Sequence, residues 1–292
     1  MRIFFIGTVE FSRQALIRIL DLGGEVVGVA ARRASAFNAD YFDLGPLCSD
    51  RGLVFRHVDD INSPDSLAWI RSVHPDVVFC FGWSSLLKAE LLAIPPRGVI
   101  GFHPAALPMN RGRHPLIWAL VLGLTETAST FFYMDEGADT GDILSQAAFS
   151  LAYEDDAASA YAKMTAAALR QIGDFLPGLQ SGTATRTPQP KSGNTWRKRK
   201  AEDGRIDFRM GSRAIYNLVR ALARPYPGAH VAGKEGDVKV WKAAEAISAE
   251  SNLEPGKVVA VLGRTIRVKT SDAAIDLLEH GFATLPGIGT YL

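Results

Sequence analysis

The sequence predicts an α/β protein: a Rossmann-like, mostly parallel sheet with helices on both faces, plus a smaller C-terminal β-rich, barrel-like domain. Three observations carry that prediction. Through the first half, apolar runs of strand length alternate with amphipathic segments of helix length, as in a parallel sheet covered on both sides. Past Pro177 the periodicity lapses into SGTATRTPQPKSGNTWRKRKAEDG, a stretch with the composition of a connector. Beyond it come several short strand-like runs at close spacing.

In chain order, RIFFIG (2–7) reads as a strand, SRQALIRILDLG (12–23) as a helix ending at Gly23, and EVVGVAA (25–31) as the next strand. DLGPLCSDRG (43–52) reads as a helix and LVFRHV (53–58) as a short strand. SPDSLAWIRSVH (63–74) is a helix with Ser63 as its cap and proline just inside. DVVFCFG, GVIGFH and TASTFFYMD complete the strand set, in a mostly parallel sheet by the alternation rule, and the alanine-rich residues 153–176 form one long helix. RIDFRMGSRAIYNLVRAL gives a short strand and then a helix ending before Pro225. AHVAG, DVKVWKAAEAI, GKVVAVLG, TIRVKTSD and AIDLLEH are the strands of the second domain. The expected division is a first domain over 1–190, a linker over 191–205 and a second domain over 206–292.

Bulk composition narrows the function classes. The 292 residues are 47% hydrophobic and 22% charged, which is ordinary globular composition. With 32 basic and 31 acidic residues the net charge is +1, so a strong electrostatic pull toward nucleic acid or an anionic membrane is not expected. The N-terminal run MRIFFIGTVEFSRQALIRIL is broken by glycine and charges too early for a signal peptide or a membrane span. The two cysteines, Cys48 and Cys80, show neither a disulfide framework nor metal-ligand spacing, and no metal is expected. A reducing cytoplasm is the simplest compartment. GTVEFS, after the first strand, lacks the G-x-G-x-x-G of a dinucleotide site, and no P-loop is present. The run WRKRK at 196–200 reads as a solvated linker followed by Glu202 and Asp203; the alternative is a contact to substrate phosphates.

The chemistry concentrates in 98–144. GVIGFHPAALPMNRGRHPLIWALVLGL runs from a strand through a Pro- and Arg-rich loop into a helix, and FFYMDEGADTGDIL delivers acids punctuated by glycine. His103 and Asp139 stand at the exits of two strands, where open α/β sheets place reactive groups. An imidazole, with an unperturbed pKa of ~6.5, can take or give a proton near neutrality. A neighbouring carboxylate favours its protonated form and fixes one tautomer. One loop, one helix and one strand separate the two residues, and a parallel crossover returns the chain to the same sheet edge, where they can meet. Taken singly, a strand-capping histidine and a turn-capping acid are the plainer reading.

With the intervening loop included, the segment resembles the folate-dependent formyltransferase family, whose members act on methionyl-tRNA, glycinamide ribonucleotide and nucleotide-linked amino sugars. HPAALPMNRGRHP is similar to its His-Pro-or-Gly-x-Leu-Leu-Pro loop followed by Arg-Gly, and MDEGADTGDIL to its acidic turn. FFIGTVEF and DGRIDF…IYNLVRAL…PYPGA are similar to members carrying a C-terminal barrel. The resemblance implies that His103 shuttles the proton and that Asp139 tunes it. Arg113 and the turn Asp135, Glu136, Gly137, Ala138 and Asp139 match positions lining the folate and substrate pocket. Ser85, Leu86 and Leu87 fall where the family grips folate, and Trp83 nearby is either a face for the pterin or a core or surface-anchor tryptophan. The family usually has Asn-x-His, its amide steadying the oxyanion; here that position is Gly101. Ser84, Asn110, a backbone amide or protonated His103 are the candidate replacements, and lost activity is the other reading.

The resemblance implies N10-formyltetrahydrofolate as co-substrate and a primary amine as acceptor. FNADYFDLGPLC and RGRHPLIWALVLG resemble the sugar-modifying branch most, which implies a nucleotide-linked amino deoxysugar destined for a surface polysaccharide. The alternatives are a methionyl-tRNA formyltransferase, another small amine such as hydroxyornithine, or a catalytically silent relative that binds folate or a partner. Neither a membrane nor a nucleic acid is an expected partner, and the architecture suggests a homodimer through the second domain.

Overall fold

RIFFI, EVVGVAA and VVFC place apolar side chains at successive positions, so both faces of these strands need cover. The computed structural model describes residues 1–33, 40–233, 236–247 and 252–292. The stretch FNADYFDLGPLC, used above for substrate choice, therefore lies partly outside the described residues, over 37–39. In chain order the elements are β1 (Arg2–Ile6), α1 (Glu10–Asp21), β2 (Glu25–Ala31), α2 (Gly45–Asp50), β3 (Phe55–His57), α3 (Pro64–Ser72) and β4 (Val77–Cys80). They continue with α4 (Ala89–Leu92), β5 (Val99–His103), β6 (Arg111–Gly112), α5 (Pro115–Val121), β7 (Glu126–Tyr133), β8 (Ile143–Ser150), α6 (Ala157–Ser181) and β9 (Thr195–Trp196). A short 3-10 turn (Ala201–Gly204) precedes α7 (Ser212–Ala221), β10 (Ala229–Gly233), β11 (Gly236–Ala246), β12 (Val258–Leu262), β13 (Thr265–Lys269) and β14 (Ala274–His280).

The chain divides into two units. The first holds Met1–Pro115, Thr127–Phe149 and Lys163–Trp196; the second holds Leu116–Glu126, Ser150–Ala162 and Arg197–Leu292. In the first, the sheet order is β3-β2-β1-β4-β5-β7-β8, and β3 through β5 run parallel. The order reverses between β1 and β4, the switch point at which such sheets open a crevice beyond their strand ends. Ser12 ties that point together: its hydroxyl donates to the Phe81 carbonyl at 2.6 Å and accepts from the Thr8 and Val9 amides. On one side of the sheet Phe4 meets Trp69 edge-on, with ring centroids 4.9 Å apart. A second aromatic group links Phe79, Phe81, Phe131 and Phe175, with Phe131 within 5.1 Å of Phe81 and 4.9 Å of Phe175. Burial pushes the Cys80 thiol up to about 12, which makes it an inert core group.

Four expectations need correcting. First, β7 pairs with β5 antiparallel, with His103 opposite Thr130, so no parallel crossover joins the two site strands. Strand periodicity is the same for either direction and cannot reveal this. Second, β8 is a further strand on the sheet edge; its alternating, half-exposed ILSQAAFS lacks the unbroken apolar run of the inner strands. Third, α6 continues through Pro177 to Ser181. Proline removes only one hydrogen bond there, within the last turn and a half of a 25-residue helix. Fourth, 205–211 forms no strand; only an isolated bridge from Arg205 to His230 touches β10. Ser63 caps α3 as expected, accepting from the Ser66 amide at 3.2 Å.

In the second unit the five strands form an antiparallel sheet in the order β10-β11-β14-β13-β12. The first amide of α7 is capped by Asp272, 60 residues away, whose Oδ1 accepts from Ser212 N at 2.8 Å. The WRKRK run is not a solvated linker throughout. Arg199 is only 9% exposed and packs its guanidinium 4.7 Å from the Trp118 ring centre. Arg197 chelates Asp203, whose carboxyl is thereby held well below the usual range. Among the described residues no helix is long and apolar enough to cross a membrane.

Candidate active site

All groups of the site lie in the first unit. The strand VIGFH buries Val99 and Ile100 and ends at His103, which is 5% exposed. The loop that follows is stitched to β7 and β8. Thr130 Oγ1 donates to the Ala105 carbonyl at 2.6 Å, and Gln146 Nε2 donates to the Leu107 carbonyl at 2.9 Å. Asn110 then takes a left-handed backbone, φ 64°, which turns its carbonyl onto the histidine: His103 Nε2 stands 2.8 Å from Asn110 O. A carbonyl only accepts, so Nε2 carries the proton and Nδ1 keeps the lone pair.

Nδ1 faces Asp139 Oδ2 across 3.6 Å, too long for a good hydrogen bond but close enough to form an ion pair once Nδ1 takes up a proton. Asp139 also has a left-handed backbone, φ 58°, a conformation that Asp and Asn tolerate better than most residues. Its Oδ2 accepts the Gly112 amide at 2.9 Å, and its backbone carbonyl accepts from Arg111 Nε and Gln189 Nε2, each at 3.1 Å. Gly112, at φ 100°, lies so close to the Trp196 carbonyl that no Cβ would fit. The acid turn is closed internally, Asp135 Oδ1 accepting from Gly137 N at 3.0 Å and from Thr140 Oγ1 at 2.7 Å. Glu136, Gly137 and Ala138 are exposed on it.

The structure brings together some of the expected binding residues and separates others. Arg113 NH1 donates to the Ser84 carbonyl at 2.7 Å, which joins the catalytic loop to the loop after β4. Arg32, just past β2, reaches that second loop, lying 4.7 Å from the Trp83 ring centre and meeting the Ser85 hydroxyl. Leu86 is 66% exposed, whereas Leu87 is 4% exposed and belongs to the core cluster around Phe4 and Trp69. Leu87 therefore props the loop from beneath rather than presenting itself on its surface. Asn62 holds the same loop, donating to the Leu86 carbonyl at 3.0 Å and accepting the Lys88 amide at 2.8 Å.

At Gly101 an added Cβ would fall 2.7 Å from Met134 Cγ and 3.0 Å from Phe132 Cζ. The space beside the histidine strand is thus filled by the methionine of the acid turn. Sequence reading missed Asn62, Arg111, Gln189 and Asn194. Each acts on partners far along the chain, and only the Arg-Gly of the loop hinted at one of them. Among the described residues, no group of three or more His, Cys, Asp or Glu side chains is placed to hold a metal ion.

The family model for formyl transferase matches residues 56–172, and that for the formyl transferase C-terminal domain matches 198–284, together more than half of the chain. Solved structures that share the fold include the following three. HypX from Aquifex aeolicus, in complex with tetrahydrofolic acid, is 20% identical with a TM-score of 0.70. The match covers 96% of this chain but 44% of HypX, so the chain spans less than half of that relative's length. An N-formyltransferase from Helicobacter canadensis, in complex with folinic acid and dTDP-3-aminofucose, is 15% identical, with a TM-score of 0.70 and coverage of 94% and 98% of the two chains. Methionyl-tRNA formyltransferase from Clostridium thermocellum is 18% identical, with a TM-score of 0.62 and coverage of 84% and 94%.

Proposed function

The chain belongs to the formyl transferase family, and from that premise we propose that it moves a formyl group from N10-formyltetrahydrofolate to the primary amine of a nucleotide-linked amino deoxysugar. The observation that carries the reading is the His103–Asp139 pair, held 3.6 Å apart at the end of β5 with its tautomer set by Asn110.

The loop after β4 fits the co-substrate. It offers an exposed Leu86 for a planar ring and a buried Trp83 Nε1 that has no acceptor among the described residues. Trp83, Ser85 and Leu86 hold the folate on one side, and the turn Asp135–Asp139 lines the other. Bound there, the folate supplies an electrophilic formyl carbon. Arg113 fixes the spacing of the two loops through Ser84. Holding the amine against that carbon supplies part of the acceleration.

His103 Nδ1 receives the proton that the amine gives up on attack and returns it to N10 as the formyl–N10 bond breaks and tetrahydrofolate leaves. In between, the protonated ring lies beside the Asp139 carboxylate, which the Gly112 amide keeps in place. Negative charge building on the formyl oxygen needs a donor, and Gly101 has none. Asn110 supplies it: its backbone is anchored to His103 and Asn194, and its side-chain amide has no partner among the described residues.

Fold likeness favours no acceptor, since sugar and tRNA enzymes both share the fold. The second unit's basic run bears on the choice. Arg197 is engaged by Asp203 and Arg199 is buried against Trp118, so two of its four cations are withdrawn from any phosphate-binding surface. The test is incubation with N10-formyltetrahydrofolate and a panel of dTDP-, UDP- and GDP-linked amino deoxysugars, read by the mass gain of one formyl group. Transfer to a sugar amine is expected. Transfer to charged initiator tRNA alone would replace the sugar reading, and folate binding without turnover on any amine would replace both.

A further inference from the structure

We propose that Gln189 and Asn194 are positioning residues of the reaction, fixing which ring nitrogen of His103 is free and where the Asp139 carboxylate stands. The proposal rests on His103 and Asp139 being the reacting pair. Both residues lie in the connector-like stretch between the two family matches, which end at 172 and resume at 198. Over 185–195 every residue is exposed except Gln189 and Asn194, which are half-buried. A mere linker has no reason to turn these two carboxamides inward.

Their hydrogen bonds explain the burial. β9 runs beside β6, pairing Arg111 with Thr195 and Gly112 with Trp196, so the stretch returns to the catalytic loop as a strand. Just before it, Asn194 Oδ1 accepts the Asn110 amide at 2.7 Å, while the Asn194 carbonyl accepts the Arg111 amide at 3.1 Å. Asn110 is the residue whose carbonyl takes the His103 Nε2 proton. Asn194 therefore holds a left-handed peptide in the one orientation that leaves Nδ1 unprotonated. Without that hold, Asn110 can turn its carbonyl away and the ring proton can move to Nδ1, where it would be attracted by Asp139. In that tautomer the ring's lone pair sits on Nε2, and Nδ1 has none to take the amine's proton.

Gln189 does the equivalent for the acid. Its Nε2 donates to the carbonyls of Asp139 and Gly141, at 3.1 and 2.5 Å, and its Oε1 accepts from Arg111 NH2 at 2.8 Å. Arg111 Nε closes the loop on the Asp139 carbonyl. All three capacities of the carboxamide that point inward are used, two donors to carbonyls and one acceptor to a cation. Glutamate cannot replace it, since a carboxylate oxygen would face two carbonyl oxygens. At Asn194 only an acceptor is needed, and aspartate can supply one. The two sites thus answer opposite ways to the same amide-to-acid change, a signature that simple space-filling would not produce.

The test begins in the substrate-free protein. Long-range nitrogen–proton spectra of 15N-histidine-labelled protein, with His103 identified by its loss in His103→Gln, read the tautomer directly. Wild type and Asn194→Asp are expected to show the proton on Nε2, and Asn194→Ala a mixture. In the transfer reaction, Asn194→Ala and Gln189→Glu are each expected to lower kcat about 10–100-fold with KM for both substrates changed less than about twofold, and Asn194→Asp recovers most of the rate. A wild-type tautomer in Asn194→Ala, or a wild-type kcat in Gln189→Glu, overturns the proposal. The spectra need neither donor nor acceptor, so they decide this point even if the sugar reading fails. Should Asn194→Ala not fold, Asn194→Asp against Gln189→Glu keeps the opposite-response test intact.

Discussion

In the first unit, β4, nearly all of β1 and the second half of β2 are buried on both faces, and the polar groups of the site stand at the end of β5 and on the loops beyond. In the second unit the strands mix buried and open positions, and charged pairs knit its elements. Arg213 meets Glu245 and Arg267 meets Asp276, each at 2.7 Å, and Arg197 chelates Asp203. The difference separates two kinds of dependence. The first unit's fold rests on packing and its chemistry on a few loop hydrogen bonds, so the two can be damaged independently. The second unit's fold depends partly on the state of its ionisable groups.

The largest expected effect lies in the first unit's core. Phe131 is fully buried among Phe81, Phe102 and Phe175, and Phe131→Ala is expected to cost about 3–5 kcal/mol in denaturant unfolding. Hydrogen exchange should show that loss in β4, β5 and β7; equal loss in β11 and β14 would break the comparison. Next comes Gly101→Asn, which restores the family's residue. Because Met134 and Phe132 already occupy its space, it is expected to destabilise by about 1–3 kcal/mol without raising kcat, and adding Met134→Ala should recover part of the loss. A rise in kcat from the single substitution would show that the methionine yields and that Asn110 is not the donor.

Acid gives the smallest and most specific effect. Burial pushes His230 below its ordinary value, against the upward pull of Asp237. Its folded value lies below its unfolded one, so the stability it contributes is present above about pH 6.5 and is lost as pH falls through the lowered value. Asp207, held down to about 2 chiefly by Arg209, has the same sign: its contribution is present above its ordinary value of 3.8 and fades toward pH 2. Exchange rates corrected for intrinsic pH dependence should therefore rise in β10 and β11 between pH 7 and pH 5, before those of β1 and β4. The reverse order would contradict a charge-dependent second unit.

Much of this was legible in the residues. The apolar runs and their spacing predict the parallel half-sheet, and the His-Pro loop with its acid turn predicts the pair that the structure brings to 3.6 Å. What was illegible is either directional or distant. The antiparallel turn of β7 leaves no trace in an apolar run, and β8 has too mixed a pattern for a strand on an edge. Trp118 captures Arg199 from 81 residues away, so a basic run that looks solvated in sequence is partly buried. Asn194 and Asn110 are 84 residues apart, and polar side chains in a Pro- and Gly-rich stretch carry no local sign of such a partner.

That His103 and Asp139 work as one unit is tested most directly by a double-mutant cycle on kcat. His103→Gln and Asp139→Asn preserve shape, and the carboxamide that Asp139→Asn introduces can still accept the Gly112 amide. Each is expected to lower kcat by about 100–10,000-fold, with the double variant no slower than the slower single to within about tenfold. Losses that multiply in the double variant, or a single variant with wild-type kcat, would contradict it.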